Sequence, residues 1–335
     1  MHRYVIRRIG MMIPVFIGIT MIIFLMLHFT PGDPARAMLG DTASFEELEA
    51  MRRELGLDKP LIVQYGTYMY NLIFKFDLGR SYISHRPVLE EILLRFPNTI
   101  LLTCCGITVT ILIGVPTGII SAVKQDSWMD KVATFVGLIG VSMPAFWVGL
   151  LLSQLFALKL RWLPATGWYG PEYAVMPAIC VGINTAALVM RMTRSTMLEV
   201  IRQDYIRTAR AKGTVEKKVV FKHALRNCLI PLITVIGLQI GNQLGGAMVT
   251  ETIFAIPGLG NYLVKSISSR DYPVIQGGVL YIAVVFSIVN LLVDILYAYV
   301  DPRIKTQYHS AGGRKHKELN LERKGVREKN GASEL

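Results

Sequence analysis

The chain has 335 residues, of which 52% are hydrophobic and only 18% are charged, and its net charge is +12. Soluble globular proteins carry roughly 25% charged residues, so this composition excludes an ordinary soluble enzyme and indicates a membrane protein. The positive charges cluster between and beyond apolar runs, which favours membrane orientation over nucleic-acid binding as their explanation.

The amino-terminal third of the chain predicts one membrane span followed by a folded polar layer. A basic start precedes the apolar run Ile9 to Phe29, which is long enough to cross a hydrocarbon core of about 30 Å. No small-residue cleavage site follows, so we expect an uncleaved first span. Between residues 30 and 98 we predict short helices, one of them capped by Ser44 and Glu47 as a capping box. A further short helix is predicted from Pro87.

Five more apolar runs predict five further spans, which makes an all-α integral membrane protein with six transmembrane helices. Their predicted limits are Ile100–Val123, Val132–Leu158, Tyr173–Met190, Leu229–Thr252 and Ile275–Val300. With the amino end inside, the predicted cytoplasmic segments hold twenty-four of the 36 Lys and Arg residues. This bias predicts that both termini are cytoplasmic.

The longest predicted cytoplasmic loop is basic and helix-forming. From Arg191 to Arg226 it carries ten Lys or Arg residues against three acids. Gly213 predicts a turn, after which Thr214 to Leu225 can form a second short helix. A solvated positive-inside loop explains this charge, but not the length of the loop or its cluster of small residues. We therefore interpret it as a docking surface for a partner protein; the small residues are Thr208, Ala209, Ala211 and Gly213.

The fifth predicted span has two unlike faces. Glycines recur every four residues at Gly237, Gly241 and Gly245, which favours packing against a neighbouring span. Polar residues lie on roughly the opposite side at 100° per residue, where they either line a pathway or bond across helices. The candidate pathway residues are Gln239, Asn242, Gln243, Gly246, Thr250 and Glu251.

Motifs for catalysis are missing from the sequence. It has no Gly-x-x-x-x-Gly-Lys-Ser/Thr loop, no His-Glu-x-x-His zinc spacing and no Gly-x-Ser-x-Gly elbow, so we expect neither an enzyme nor a metal site. An ion-coupled secondary transporter or a channel subunit is the alternative function, but Glu251 and Asp294, both near span ends, are weak support for ion coupling.

Short motifs in a fixed order resemble one transporter family. The loop contains Asp204-Tyr-Ile-Arg-Thr-Ala-Arg-Ala-Lys-Gly213 and His223-Ala-Leu-Arg-Asn227, although the Ile-x-Leu-Pro ending usual in such loops is replaced. Further landmarks are Pro31-Gly-Asp-Pro34, Leu55-Gly-Leu-Asp58, Asp77-Leu-Gly79, Ser142-Met-Pro144, Arg191-Met-Thr-Arg-Ser195, Glu251-Thr-Ile-Phe254, Pro257-Gly-Leu-Gly260, Arg270-Asp-Tyr-Pro273 and Asp301-Pro-Arg-Ile304. Over about residues 1–304 the chain resembles the transmembrane permease subunits of ATP-binding-cassette (ABC) importers, in their dipeptide, oligopeptide and nickel branch.

This resemblance implies the type I ABC importer fold in a bacterial inner membrane. It also implies four kinds of partner: a second homologous permease subunit, two ATPase subunits, an extracytoplasmic solute-binding protein and membrane lipid. No cofactor is expected on this chain, since ATP and Mg²⁺ would bind the ATPase subunits. Peptides, glutathione-like tripeptides, nickel chelates and oligosaccharides are all compatible substrates. The residues implied in coupling to the ATPase are Arg207, Thr208, Ala209, Arg210, Ala211, Lys212, Gly213 and Val219.

These expectations divide the chain into four parts. Residues 1–29 form the cytoplasmic start and first span, and residues 30–98 form an extracytoplasmic helical loop. Residues 99–304 form the permease core, which contains the coupling loop 191–228, and residues 305–335 form a basic cytoplasmic tail expected to be disordered.

Overall fold

The structure is a computed structural model that describes residues 2–30, 32–40 and 42–300. Every regular element in these ranges is helical, as predicted; one isolated β-bridge joins Arg80 to Pro87. The helices are α1 (His2–Phe29), α2 (Pro34–Leu39), α3 (Phe45–Glu54), α4 (Leu61–Lys75), α5 (Val88–Val123), α6 (Trp128–Ser142), α7 (Ala145–Leu152), α8 (Pro171–Ile201), α9 (Asp204–Ala211), α10 (Glu216–Lys218), α11 (Leu225–Ile253), α12 (Leu259–Ser268) and α13 (Tyr272–Val300).

Five helices are long and apolar enough to cross a membrane, and a bent pair supplies the sixth candidate span. The five are Arg8–Phe29, Val88–Val123, Pro171–Ile201, Glu216–Ile253 and Tyr272–Leu296. The pair consists of α6 and Ala145–Lys159, which is α7 with the π-helical turn that follows it, and its two halves meet at 104°. Our prediction of one span from Val132 to Leu158 was therefore wrong about its continuity. Pro144 lacks an amide hydrogen and disfavours helix at Met143, which adopts an extended conformation.

Helix α5 is longer than the sequence predicted. A short helix at Pro87 and a separate span from Ile100 were expected, but a single 36-residue helix runs from Val88 to Val123. It passes through Pro97 without a break. The predicted domain boundary at residues 98 and 99 consequently falls inside a helix.

The centre of the bundle is the contact between α5 and α8, the most extensive between any two described elements. Glycines on α5 allow this approach: a Cβ atom at Gly114 would lie 2.6 Å from the Ala186 carbonyl oxygen, and one at Gly118 would lie 2.6 Å from that of Met190. Gly114 and Gly118 therefore allow α5 and α8 to approach closely.

The polar layer after α1 contains the predicted helices. Ser44 and Glu47 form the capping box at the start of α3, which is confirmed in both of its hydrogen bonds. Helix α4 contacts the first span, because the Thr20 and Tyr65 hydroxyl oxygens lie 3.0 Å apart.

Residues up to Leu291 form one compact unit, and a second begins at Leu292. Of the second unit, the structure describes the end of α13 to Val300. The predicted basic tail 305–335 lies outside the described residues.

Candidate functional site

The predicted docking loop is built around α9, an eight-residue helix between the long helices α8 and α11. Helix α8 does not end near Arg191 as predicted; it continues for about three more turns to Ile201. The extension carries basic residues because it has left the apolar part of the span. The loop outside regular helix is thus much shorter than its sequence suggested.

Gly213 closes α9 in the turn that the sequence predicted. Its φ of +73° is left-handed, its amide donates to the Arg210 carbonyl at 2.9 Å, and the Thr214 amide donates to the Ala209 carbonyl at 3.2 Å. These two bonds define a Schellman motif, in which glycine is favoured because it has no Cβ atom. The chain therefore turns back sharply after α9 toward the buried Val219.

An ion pair spans the same turn. The Arg210 guanidinium lies 2.6 Å from the Glu216 carboxylate and contacts both of its oxygens. This pairing raises the pKa of Arg210. Both side chains are largely exposed, at 40% and 54%, so the pair contributes at most about 1 kcal/mol to stability and mainly orients the turn.

One face of α9 is held against the bundle by a set of apolar residues that we call the anchor cluster. Ile206 of α9 and Val219 of the following segment are both fully buried in it. The anchor cluster consists of Ile119, Ala122, Val189, Met197, Ile206, Val219, Val220, Ala224, Cys228 and Leu232. Helix α9 is therefore packed onto the ends of α5, α8 and α11.

The other face of α9 is open to solvent. Among the predicted coupling residues, the structure places six at the surface, Ala209 half-buried and Val219 in the interior. Those at the surface are Arg207, Thr208, Arg210, Ala211, Lys212 and Gly213. Sequence reasoning missed three exposed side chains beside them: Tyr205 is 44% exposed, Val215 72% and Phe221 55%. The sequence signal for all three is an apolar or aromatic residue within a basic loop.

We predicted a separate short helix from Thr214 to Leu225 after the turn, and this prediction was wrong. Helix begins at Glu216, passes through a π-helical stretch Val219–Ala224 and continues as α11 to Ile253. The docking turn is thus joined without a break to the helix that carries the candidate pathway residues.

The polar face of α11 divides into an exposed and a buried set. Asn242 and Gly246 are exposed, Gln239 is half-buried, and the Asn242 amide donates to the Gln239 side-chain oxygen at 3.0 Å. Gln243 is buried and donates to the Thr185 hydroxyl on α8 at 3.1 Å. Thr250 is also buried, with its hydroxyl 3.5 Å from the Cys180 sulfur. The structure therefore brings Gln239, Asn242 and Gly246 together at a surface, while the other amide bonds across helices.

Glu251 is fully buried beneath the connection between α11 and α12. Its carboxylate accepts the Thr99 hydroxyl at 2.6 Å and the Asn261 amide at 2.9 Å. Glycines are required above it, because a Cβ atom at Gly258 would lie 2.3 Å from the Glu251 carboxyl carbon. The motifs Glu251-Thr-Ile-Phe254 and Pro257-Gly-Leu-Gly260 thus form one structural unit.

The predicted glycine stripe of α11 makes one close helix contact among the positions for which neighbours are described. A Cβ atom at Gly241 would lie 2.9 Å from the Phe286 ring on α13, whereas Gly245 has no neighbour within 4 Å.

Comparison with known proteins decides the family. The pattern of the binding-protein-dependent transport system inner membrane component matches residues 114–306, and that of the N-terminal membrane component of such systems matches residues 1–103. The chain belongs to this family. It is therefore a permease subunit of an ABC importer, a multi-pass inner-membrane protein and a transport component that works with an ATPase and a solute-binding protein.

Relatives of this permease subunit match nearly its whole length. The dipeptide transport system permease protein DppB of Alkalihalophilus pseudofirmus is 45% identical over 91% of this chain and 100% of its own. The glutathione transport system permease protein GsiC of Pectobacterium atrosepticum is 44% identical over 91% of this chain and 99% of its own.

A solved structure confirms the fold. An inward-facing structure of the MetNI methionine ABC transporter matches with a TM-score of 0.56, 15% identity, and coverage of 64% of this chain and 97% of that chain. At this identity the likeness concerns the fold alone.

Proposed function

We propose that this permease subunit forms half of the translocation pathway of an importer for dipeptides, oligopeptides or a chemically similar small solute. The support is the function of two relatives, a dipeptide permease and a glutathione permease. Both solutes are short peptides with free charged ends.

Coupling to ATP hydrolysis takes place at α9, which docks into a groove of the ATPase. The observation that carries this proposal is the two-sided construction of the helix: Ile206 is buried in the anchor cluster while Arg207 and Thr208 are exposed. A helix held rigidly on one face can transmit a push received on the other, as rigid-body rocking requires. Tyr205, Val215 and Phe221 add exposed apolar and aromatic area of the kind found at protein interfaces.

The solute pathway follows the exposed polar face of α11, at Gln239, Asn242 and Gly246. Exposed amides in a membrane helix are costly against lipid and favourable against water or a polar solute. Gln243, Thr250 and Glu251 act on the pathway indirectly, by fixing α11 against α8 and α12. The complete importer contains a second homologous permease subunit, two ATPase subunits that bind ATP and Mg²⁺, and one binding protein.

Uptake into proteoliposomes tests this function. The importer with its own ATPase and binding protein is reconstituted, and entry of radiolabelled dialanine and glutathione is measured with and without ATP. We expect uptake of at least one of them to require ATP and to persist when a protonophore collapses the proton gradient. Uptake that needs the gradient and continues without the ATPase would instead establish the ion-coupled alternative.

Gly213→Asp tests the docking surface. No atom lies within 4 Å of the position of a Cβ atom at Gly213, and aspartate tolerates left-handed backbone better than most residues. We therefore expect the variant to assemble in the membrane but to lose ATP-dependent uptake, because the new side chain obstructs the ATPase groove.

Gly56→Asp is the matched control. Gly56 ends α3 in the same Schellman geometry, with φ of +68° and amide bonds from Gly56 to Arg53 and from Leu57 to Arg52. It lies in the polar layer outside the predicted docking loop. Equal loss of uptake in both variants would indicate a general effect of the cap, and normal uptake in Gly213→Asp would refute docking at α9.

A further inference from the structure

A buried ion pair joins the bent span to the helix that carries the docking loop. Asp130 lies in the first turn of α6, and the Arg194 guanidinium of α8 contacts it with two parallel bonds, Nε to Oδ1 and Nη2 to Oδ2, each 2.7 Å long. The two residues are 64 positions apart in the sequence. Such two-pronged pairs fix the relative orientation of their elements as well as their distance.

The Asp130 carboxylate also accepts hydrogen bonds from other parts of the chain. Ser121 at the end of α5 donates its hydroxyl to Oδ1, the Asp126 amide donates to Oδ2 at 3.0 Å, and the Thr134 hydroxyl lies 3.4 Å from Oδ1. Asp130 is only 3% exposed, and the Arg194 side chain 29%. The carboxylate therefore ties α5, α6 and α8 together at one point.

A contact of this kind is poorly explained by stability alone. Removing a charge such as the Asp130 carboxylate from water costs several kcal/mol, and well-packed apolar residues often stabilise a protein equally well. What the pair provides is a defined geometry between helices that an apolar contact would allow to slide.

The pair lies beside the anchor cluster. Ser121 adjoins Ala122 in α5, and Arg194 precedes Met197 by one turn in α8; Ala122 and Met197 both belong to the anchor cluster that buries Ile206. The same parts of α5 and α8 therefore contact both α9 and Asp130. Beyond Asp130, α6 leads directly to the 104° bend that follows Ser142.

We propose that Asp130 and Arg194 are positioning residues that make α6 move as one body with the docking helix α9. This inference rests on the proposed docking of the ATPase at α9. Movement received at α9 passes through the anchor cluster to the ends of α5 and α8, and through the ion pair to α6. The bent span of α6 and α7 then moves together with the docking loop.

Spin-label distances test this joint, the coupling of α6 to α9 through the ion pair, without any transported solute. Nitroxides are placed in the assembled importer at two exposed positions, Trp128 and Gln203, the second of which directly precedes α9 and lies outside the proposed ATPase contact. Serine first replaces Cys104 and Cys105; Cys180 and Cys228 are buried. We expect one narrow distance that is unchanged between the nucleotide-free and ATP-bound importer. In Asp130→Asn and Arg194→Lys the distribution should broaden or shift between the two states.

The functional readout is the amount of solute imported per ATP hydrolysed. Both variants should keep ATP hydrolysis and assembly while this ratio falls about tenfold or more, and Arg191→Lys, an exposed arginine one turn earlier, should behave as wild type. If Asp130→Asn does not assemble, Arg194→Lys, which keeps the charge, decides the question. A narrow distance together with a normal ratio in Arg194→Lys would overturn the proposal. Absence of ATP-driven uptake in the unaltered importer would instead overturn the proposed function, and the distances would still report on the joint.

Discussion

Glu251 shows how one residue can look like a pathway group and be a structural one. On a helical wheel it continues the polar side of α11, yet its carboxylate faces the Thr99 hydroxyl and the Asn261 amide in the interior. A wheel gives the direction of a side chain but not what occupies that direction. The nearby glycines, which leave room for the carboxylate, come from a segment that follows in the chain.

The burial of Glu251 leads to a stability prediction. Glu251→Ala leaves two buried donors without their acceptor, each costing about 1–3 kcal/mol, so the thermal unfolding temperature of the purified chain should fall by several degrees. Glu251→Gln keeps an acceptor oxygen and should fall less. Unfolding temperatures in detergent measure this difference. If Glu251→Ala had wild-type stability but lost uptake, Glu251 would be a pathway residue and not a structural one.

At the scale of the element, α9 depends on a single buried side chain of its own. Ile206→Ala should destabilise the packing of the helix by about 2–5 kcal/mol, whereas Ile206→Val should cost about 0.5–1.5 kcal/mol. The loop is rich in trypsin sites, so inside-out vesicles provide the measurement: cleavage between residues 202 and 212 should accelerate strongly in the alanine variant. Equal cleavage rates in the two variants would mean that Ile206 does not hold α9.

The contact of α5 with α8 leads to a second prediction at this scale. Gly118→Ala places a Cβ atom 2.6 Å from the Met190 carbonyl oxygen and must push the helices apart, which typically costs about 1–3 kcal/mol. Gly18→Ala, inside α1, meets no atom within 4 Å and serves as the control. Unfolding temperatures should separate the two variants, and equal values would contradict the close approach.

Element limits were predicted less well than element types. The apolar runs identified the spans, and Ser44, Glu47 and Gly213 identified a helix start and a helix end, because each acts through its immediate neighbours. Helix α5 was divided in error into a short helix at Pro87 and a span from Ile100, whereas the helix accommodates Pro97 between them because its neighbours hold it. The extension of α8 past Arg191 was missed because a charged residue ends a membrane span but need not end a helix.

Contacts between distant segments were not predictable from one sequence. The pairing of Asp130 with Arg194, and of Gln243 with Thr185, depends on which helices are neighbours and on their rotation. Periodicity fixes one face of each helix but not its partner. The docking loop could be proposed from the sequence because its charges and small residues lie in one continuous stretch of chain.

At the scale of the whole molecule, the charge distribution predicts orientation. In a chain with Cys104 and Cys105 replaced by serine, Ser84→Cys should react with a membrane-impermeant thiol reagent in intact cells. Gln203→Cys, directly before α9, should react only after permeabilisation; both positions are exposed. Labelling of Gln203→Cys in intact cells would reverse the orientation and remove α9 from reach of a cytoplasmic ATPase.

The uninterrupted length of α5 has a mechanical consequence on the far side of the membrane. The predicted span starts at Ile100, so the twelve residues from Val88 to Thr99 extend the helix by about 18 Å beyond the span. A tilt of about 10° in the bilayer would move the Val88 end sideways by about 3 Å, by the geometry of a rod of this rise per residue. The loop at Ser81, fastened to Asp271 by a 2.5 Å hydrogen bond, would travel with it. A solute-binding protein docked at this loop would therefore be displaced whenever a movement at the opposite face of the membrane tilts α5.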